Sequence, residues 1–368
     1  MTVPAAAEPL SGAGAAGAGG VPPSRVRSRR VPAWPLLFVV VAVFAVFPLV
    51  FSDVTTTSIA VYTLIFMVSA SAWNIFSGYS GYLALGHAVF FGTGAYTVAL
   101  TEQDWHVPAG WAVFALMPVA GLVAGLLAIP VGLVALRTRR HTFVVVTIAI
   151  FFVFQLLAFN LPFTDGTTGI QLNTPTWSAY TYNEPFFYMT LVILVATVAL
   201  SWAVRRSRFG LQLMAIRDDE DRARGMGVRV WPVKLTAFVL SAIPIGMVGG
   251  MYAYFLGVVY PQVAFDPLFD IAIALMAFLG GLGTLAGPLL GALVLESLQQ
   301  YFTEQFSNSS LYLIIYGGLF LVVILLLPRG VIPSLAQFVG SRRVRAARRQ
   351  GGGEDAGGLG VDVAGVTP

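Results

Sequence analysis

Reactive groups do chemistry when they cluster, and this chain scatters them. His87, His106 and His141 are its three histidines, too widely separated for metal-ligand spacing, and there is no cysteine. Disulfides, thiolate metal sites and cysteine nucleophiles are thereby excluded. The single lysine, Lys234, follows Val233, whereas a Walker A loop needs Gly before its Lys, so the chain carries no such phosphate loop. If ATP drives the protein, another subunit hydrolyses it. Within the apolar stretches almost nothing ionises. Glu296 is the one deep carboxylate, and Asp270 is expected near an outer interface. A charge at mid-bilayer costs about 2.5–3.5 kcal/mol or more, so Glu296 should face protein or water, bonded to a neighbouring helix, lying near the outer end, or serving transport. An intramembrane enzyme lacks a cluster of His, Asp or Glu at one depth, and an ion-coupled carrier usually needs more intramembrane acids.

The charged groups concentrate instead in one stretch, Arg205 to Trp231, which holds seven arginines and the four consecutive acids Asp218, Asp219, Glu220 and Asp221. Gly210 opens it and Gly225 and Gly227 close it. Leu211 to Arg224 contains no Gly or Pro, and Asp218–Arg222 and Glu220–Arg224 are acid-before-base pairs four apart, so the stretch predicts a short charged helix lying against a membrane. Such a helix either is a solvated cytoplasmic loop or receives force from a soluble partner.

The elements that must hold this segment are membrane helices. Of 368 residues 57% are hydrophobic and 10% charged, with a mean hydropathy of +0.81, where a soluble domain has about a quarter of its residues charged. The net charge of +4 does not imply nucleic-acid binding, because the basic residues cluster beside apolar runs as topology signals. Residues 1–33 read as a disordered cytoplasmic tail, 34–328 as a transmembrane domain, and 329–368 as a basic, then Gly-rich cytoplasmic tail. Crossings are expected at 34–51, 54–76, in the Gly-rich run from Ser77, and at 111–136, 142–159, 185–204, 233–258, 268–279, 289–302 and 312–327. The fold class is therefore all-α, a polytopic membrane protein with about ten transmembrane helices, some short or broken, and disordered termini. Parity and the arginine-rich tail put both termini in the cytoplasm of a plasma membrane.

Two regions break the helical texture with glycine. One holds Gly78, Gly81, Gly86, Gly92 and Gly94 around His87, and the other holds Gly280, Gly281 and Gly283. Glycine in apolar helices serves close packing or a broken helix lining a pathway, and both readings stand for these residues and for His87. The two regions fall in corresponding places of two halves, which hints at an internal repeat.

Three stretches carry a family resemblance: GYSGYLALGHAVFFGTGAY (78–96), RFGLQLMAIRDDEDRARGMGVRVWPVKLTAFVLSA (208–242) and FLGGLGTLAGPLLGA (278–292), with LLPRG at 326–330. Together they resemble the permease subunits of branched-chain amino-acid ABC importers, in particular the LivM type, over about residues 55–335. The resemblance implies that 205–232 is the segment that couples to the ATPase. Phe209, Gly210, Arg217, Glu220, Ala223 and Gly227 stand where that family has its coupling residues, while Arg222 and Arg224 occupy places where small or acidic residues are usual. It further implies a second permease subunit, ATPase subunits that bind ATP, an extracytoplasmic solute-binding protein, no cofactor in this chain and alternating access. Branched-chain amino acids are the default substrate, and urea or short amides are carried by related permeases. A self-sufficient channel or ion-coupled carrier is the competing class, in which the charged stretch would only anchor topology.

Overall fold

The computed structural model describes residues 44–48, 50–51, 53–178, 181–305 and 317–318. The expected tails 1–33 and 329–368 lie outside the described residues, and the expected crossings at 34–51 and 312–327 lie largely outside them. The other eight expected crossings fall on helical segments. The helices are α1 (Val54–Trp73), α2 (Ala88–Asp104), the short α3 (Trp111–Phe114), α4 (Met117–Ala135), α5 (Arg140–Asn160) and α6 (Asn183–Arg206). They continue with α7 (Arg208–Asp218), α8 (Glu220–Gly225), α9 (Val230–Leu256), the short α10 (Pro261–Ala264), α11 (Pro267–Gly280) and α12 (Gly287–Gln305). Among the described residues six helical segments are long and apolar enough to cross a membrane. A two-stranded antiparallel ribbon, β1 (Ile170–Gln171) with β2 (Val258–Val259), is the sheet among the described residues.

Local sequence explains the helix ends. Asp53 caps α1 by accepting from the Thr56 amide at 3.0 Å, and Asp266 caps α11 by accepting from Leu268 at 2.9 Å with Pro267 at the first helical position. Gly257 stops α9 in a left-handed conformation. Beyond Trp73, α1 widens into a π-helical turn, Asn74–Gly78, and the chain from Gly81 to Gly86 is non-helical before α2 begins. The Gly-rich run is thus a broken element.

α9 is the central post, packed along α2 and α4 and touching α1, while α1 also packs against α6 and α12. Glycine makes these approaches close. A Cβ on Gly94 would overlap the carbonyl of Gly246, and one on Gly249 would overlap the carbonyl of Phe91, so α2 and α9 touch backbone to backbone. Gly246 in turn meets Ala120 and Ala124 of α4.

The segment before α11 corrects the expectation for Asp270. Phe265 stands against Gly92 in the second turn of α2, and Gln155 of α5 donates to the Phe265 carbonyl at 2.7 Å. The chain has therefore turned inward before α11 starts, and Asp270 is buried at 3% exposure instead of near an outer interface. Its carboxylate accepts from the amides of His87 at 2.8 Å and Ala88 at 3.2 Å, closing the N-terminus of α2.

Two glycine substitutions separate packing from mere presence. Gly94→Ala is expected to destabilise the detergent-solubilised protein by about 1–3 kcal/mol through overpacking. Gly225→Ala, where a Cβ meets nothing within 4 Å, is expected to change it by less than about 0.5 kcal/mol. Thermal unfolding midpoints of the two variants read this directly; equal midpoints would show that the α2–α9 contact is looser than described.

Candidate functional site

The charged stretch folds as two helices and not as the single helix that its composition predicts. The break is at Asp219, whose backbone is extended and whose carboxylate accepts from the amides of Asp221 and Arg222, both at 3.0 Å. An acid inside a helix competes for backbone donors, and here it wins by capping a new helix, α8. The break also reassigns the ion pairs. Glu220–Arg224 forms at 3.0 Å, but Arg222 pairs with Asp219 at 3.0 Å in place of Asp218. Hydrogen bonding to its neighbours holds the Asp219 carboxyl below the usual carboxylate range, the Arg222 amide being the main cause. Solvent screens a pair as exposed as Arg222–Asp219, so it does not fix the segment in place.

What fixes it is a buried cluster on the inner side of α8. Lys234, in the first turns of α9, is 3% exposed, and its Nζ reaches Glu220 Oε1 at 3.3 Å and Tyr82 Oη at 3.1 Å. The ammonium also lies 4.2 Å from the centroid of the Tyr82 ring, and the Arg140 guanidinium lies 5.8 Å from the same centroid. The Tyr82 hydroxyl donates a short hydrogen bond to Glu220. Burial alone would raise the Glu220 carboxyl, but the bond from Tyr82 and the charge of Lys234 outweigh it and hold the group below its ordinary value. Three separate parts of the chain therefore meet at one carboxylate: the loop between α1 and α2, the start of α9, and α8.

A second attachment lies at the end of α7. Arg140, at the start of α5, donates through Nη2 to the carbonyls of Ile216 and Arg217, each at 2.7 Å, satisfying the helix C-terminus. The Arg217 side chain turns inward and donates from Nη1 to the Gly78 carbonyl at 2.9 Å. At the other end of α7, Ser207 caps the helix by accepting from Gly210 at 3.1 Å. A Cβ on Gly210 would overlap the Val204 carbonyl, so only glycine permits this tight turn out of α6. Phe209 is half-buried, Ala223 is fully buried, and Gly227 is exposed with open space around it.

The outer side of the segment is open. Arg222 and Asp221 are 85% and 83% exposed, and Leu211 and Met226 stand 63% and 72% exposed on the same segment. A cleft of about 560 Å³ runs between the 137–141 turn and α7–α8, lined by Arg137, Arg139, His141, Asp218 and Asp221 among others.

The residues around the glycine breaks are enclosed by protein. His87 is buried, its Nε2 lies 2.9 Å from Ser241 Oγ, and Phe90 and Phe238 meet its ring edge-on at 5.5 Å. A Cβ on Gly86 would meet the Thr147 carbonyl at 2.8 Å, and one on Gly92 the Phe265 ring at 2.6 Å. Gly280 crosses against the carbonyl of Gly287, Gly281 ends α11, and Gly283 faces Arg217. Glu296 is buried and accepts from Gln300 at 2.8 Å. Tyr82 is not among the residues that the sequence singles out, and Lys234 enters there only through the absence of a phosphate loop. A lone lysine in an apolar helix demands a nearby acid, and that was the available signal.

Six described helical segments long and apolar enough to cross a membrane, with charges gathered on one latched segment, describe a multi-pass membrane protein. The chain belongs to the family described as branched-chain amino acid transport system / permease component, whose profile matches residues 55–324. It is similar to the high-affinity branched-chain amino acid transport system permease protein LivM of Escherichia coli strain K12, 28% identical over 305 residues, covering 76% of this chain and 70% of the relative. It is also similar to LivH of the same strain, 25% identical over 142 residues, covering 39% of this chain and 45% of that protein. A shorter match links it to the autoinducer 2 import system permease protein LsrC of Photorhabdus luminescens, 27% identical over 133 residues, or 35% of this chain and 38% of the relative. No solved structure matches.

The latch has a pH signature. A carboxylate whose folded-state value is depressed stabilises the fold fully above its unfolded value and loses that contribution as pH falls through the folded value. Amide-exchange protection of residues 218–226 is therefore expected to stay level between about pH 8 and 5 and to fall only below the ordinary Glu value of 4.5. Glu220→Gln is expected to give reduced protection already at neutral pH; wild-type protection in that variant would mean the ionic contacts of Glu220 do not hold α8.

Proposed function

We propose that this chain is one permease subunit of an ATP-driven importer, and that the segment 205–232 is where ATPase subunits engage it. The observation that carries the reading is the two-sidedness of α7–α8. The inner side is tied into the bundle through Glu220, Lys234, Tyr82 and Arg217, while the outer side leaves Leu211 and Met226 exposed among charged residues. A segment bound firmly on one side and presenting apolar anchors on the other suits force transfer from a soluble partner. A loop serving only as a topology anchor needs neither feature.

The remaining assignments follow from that reading. Arg140 and α7 lie at the same end of the bundle, so Arg137, Arg139, Arg140 and the arginines of 205–229 mark the cytoplasmic side by the positive-inside rule. Both termini are then cytoplasmic in a bacterial plasma membrane. The similarity to LivM and LivH, two permease proteins whose names place them in one transport system, supports pairing with a second permease. A solute-binding protein on the outer side delivers substrate, ATP is bound by partner subunits, and this chain binds no cofactor. Branched-chain amino acids are the substrate that the relatives' names favour, and a bundle with few buried charges suits a solute without net charge. Transport proceeds by rocking of the two permeases as the ATPases close.

The test is uptake of radiolabelled leucine, isoleucine and valine into vesicles holding the reconstituted complex. ATP-dependent uptake is expected for the wild type. Glu220→Arg sets a guanidinium against Lys234 and Arg224, and is expected to abolish uptake while the chain still inserts. Normal transport by this variant at matched expression would contradict the assignment, and uptake driven by an ion gradient without ATP would identify a carrier.

A further inference from the structure

The two glycine breaks, separated by about two hundred residues of sequence, meet in space, and the side chain at their junction comes from α7. Asn74, in the π-helical turn at the end of α1, donates from Nδ2 to the Thr284 carbonyl at 3.0 Å and accepts from the Gly283 amide at 2.8 Å, so one side amide clamps the α1 break to the α11–α12 hinge. Arg217 enters this junction from below. Its Nη1 donates to the Gly78 carbonyl at 2.9 Å. A Cβ on Gly81 would stand 2.9 Å from Arg217 Cγ, and a Cβ on Gly283 would overlap Arg217 Nη1 and come within 2.9 Å of the Gly78 carbonyl. Gly81 and Gly283 also have φ of +73° and +76°, the left-handed region that glycine tolerates. The cradle therefore admits a guanidinium because no side chain occupies it. The carbonyls of Ile216 and Arg217 are held at the same time by Arg140, so the base of the Arg217 side chain is fixed to α5.

We infer that Arg217 is a transmission pin: it joins the segment 205–232 to both helix breaks, so that displacement of α7 moves the end of α1 and the α11–α12 hinge together. This rests on the reading of 205–232 as the ATPase-engaging segment, and it assigns Arg217 a role apart from docking. The side chain points into the bundle, whereas Met226, Asp221 and Arg222 stand on the open side. Asn74, Gly78, Gly81 and Gly283 become the seat of the pin. Rigid contact between packed elements with few alternative arrangements is the physical means by which such a displacement is passed on.

The experiment uses the full complex of permeases, ATPases and binding protein in proteoliposomes, measuring ATP hydrolysis and leucine uptake in the same vesicles. Arg217→Ala is expected to assemble with the ATPases and hydrolyse ATP at a rate near wild type, while transport per ATP falls about tenfold or more. Arg217→Lys, which keeps a donor for the Gly78 carbonyl, is expected to recover part of that ratio. An unchanged ratio in Arg217→Ala overturns the inference, as does loss of ATPase assembly with the chain still folded, which would make Arg217 a docking residue.

A second arm keeps Arg217 in place. The chain has no cysteine, so labels at Asp221→Cys and Ala286→Cys are specific, and their distance is expected to stay constant between nucleotide-free and ATP-bound states because the two sites move as one body. A changed distance in that pair overturns the inference even if Arg217→Ala does not accumulate. If no ATPase assembles with the wild type, the proposed function itself fails; if it assembles and both arms are negative, only the pin fails.

Discussion

A lysine ammonium in an apolar bundle has to be answered by a carboxylate, and that requirement organises the cytoplasmic end of this protein. Lys234 sits in the first turns of the central helix α9 with almost no exposure, and among the described residues the acid paired with it is Glu220, carried in by α8. Removing one partner of a buried pair leaves an uncompensated charge, which costs about 3–5 kcal/mol when burial is complete, and somewhat less for Glu220, whose side chain keeps 21% exposure. The surface pairs on the same segment are each worth a small fraction of that. The position of α8 is therefore set by the central post of the bundle and not by its own helix propensity. Tyr82 adds the third leg, giving its hydroxyl to Glu220 and its ring face to Lys234, so the loop after α1 is tied to the same point.

From that anchor the arrangement of the rest follows. With α8 held by Glu220 and α7 held by Arg140 and Arg217, the segment 205–232 cannot shift without pulling on α9, α5 and the π-helical end of α1. Those elements are themselves packed backbone to backbone through glycine, so they offer few ways to absorb a displacement. A charged segment that looks like an ordinary solvated loop in composition is, in structure, tied to the interior through Glu220, Arg217 and the Arg140 contacts.

Much of this was legible in the sequence, and the failures have physical causes. The apolar runs marked the helices because a span of about 20 apolar residues has few other uses. The caps at Asp53, Ser207 and Asp266 are local signals. The break at Asp219 was not legible: four acids in a row offer four candidate caps, and the choice among them was made by Lys234, which draws Glu220 inward. The depth of Asp270 was missed because counting residues from the outer end assumes a continuous helix, whereas residues 260–266 turn inward before α11 begins. The cradle around Arg217 was out of reach for another reason. Gly78, Gly81 and Gly283 were visible as breaks, but nothing local tells that breaks so distant in sequence share one side chain.

The central claim is that the segment 205–232 engages ATPase subunits through its open face while the latch holds it from within. Its most direct test is a mild-detergent pull-down of the tagged chain from its native membrane, with mass spectrometry of the co-purifying proteins, for the wild type and for Met226→Asp. The account predicts ATPase subunits and a second permease with the wild type, and loss of the ATPases but not of the second permease with Met226→Asp, since a residue so exposed has no part in the latch. Recovery of the chain without any ATPase, or equal ATPase recovery from both proteins, would contradict it.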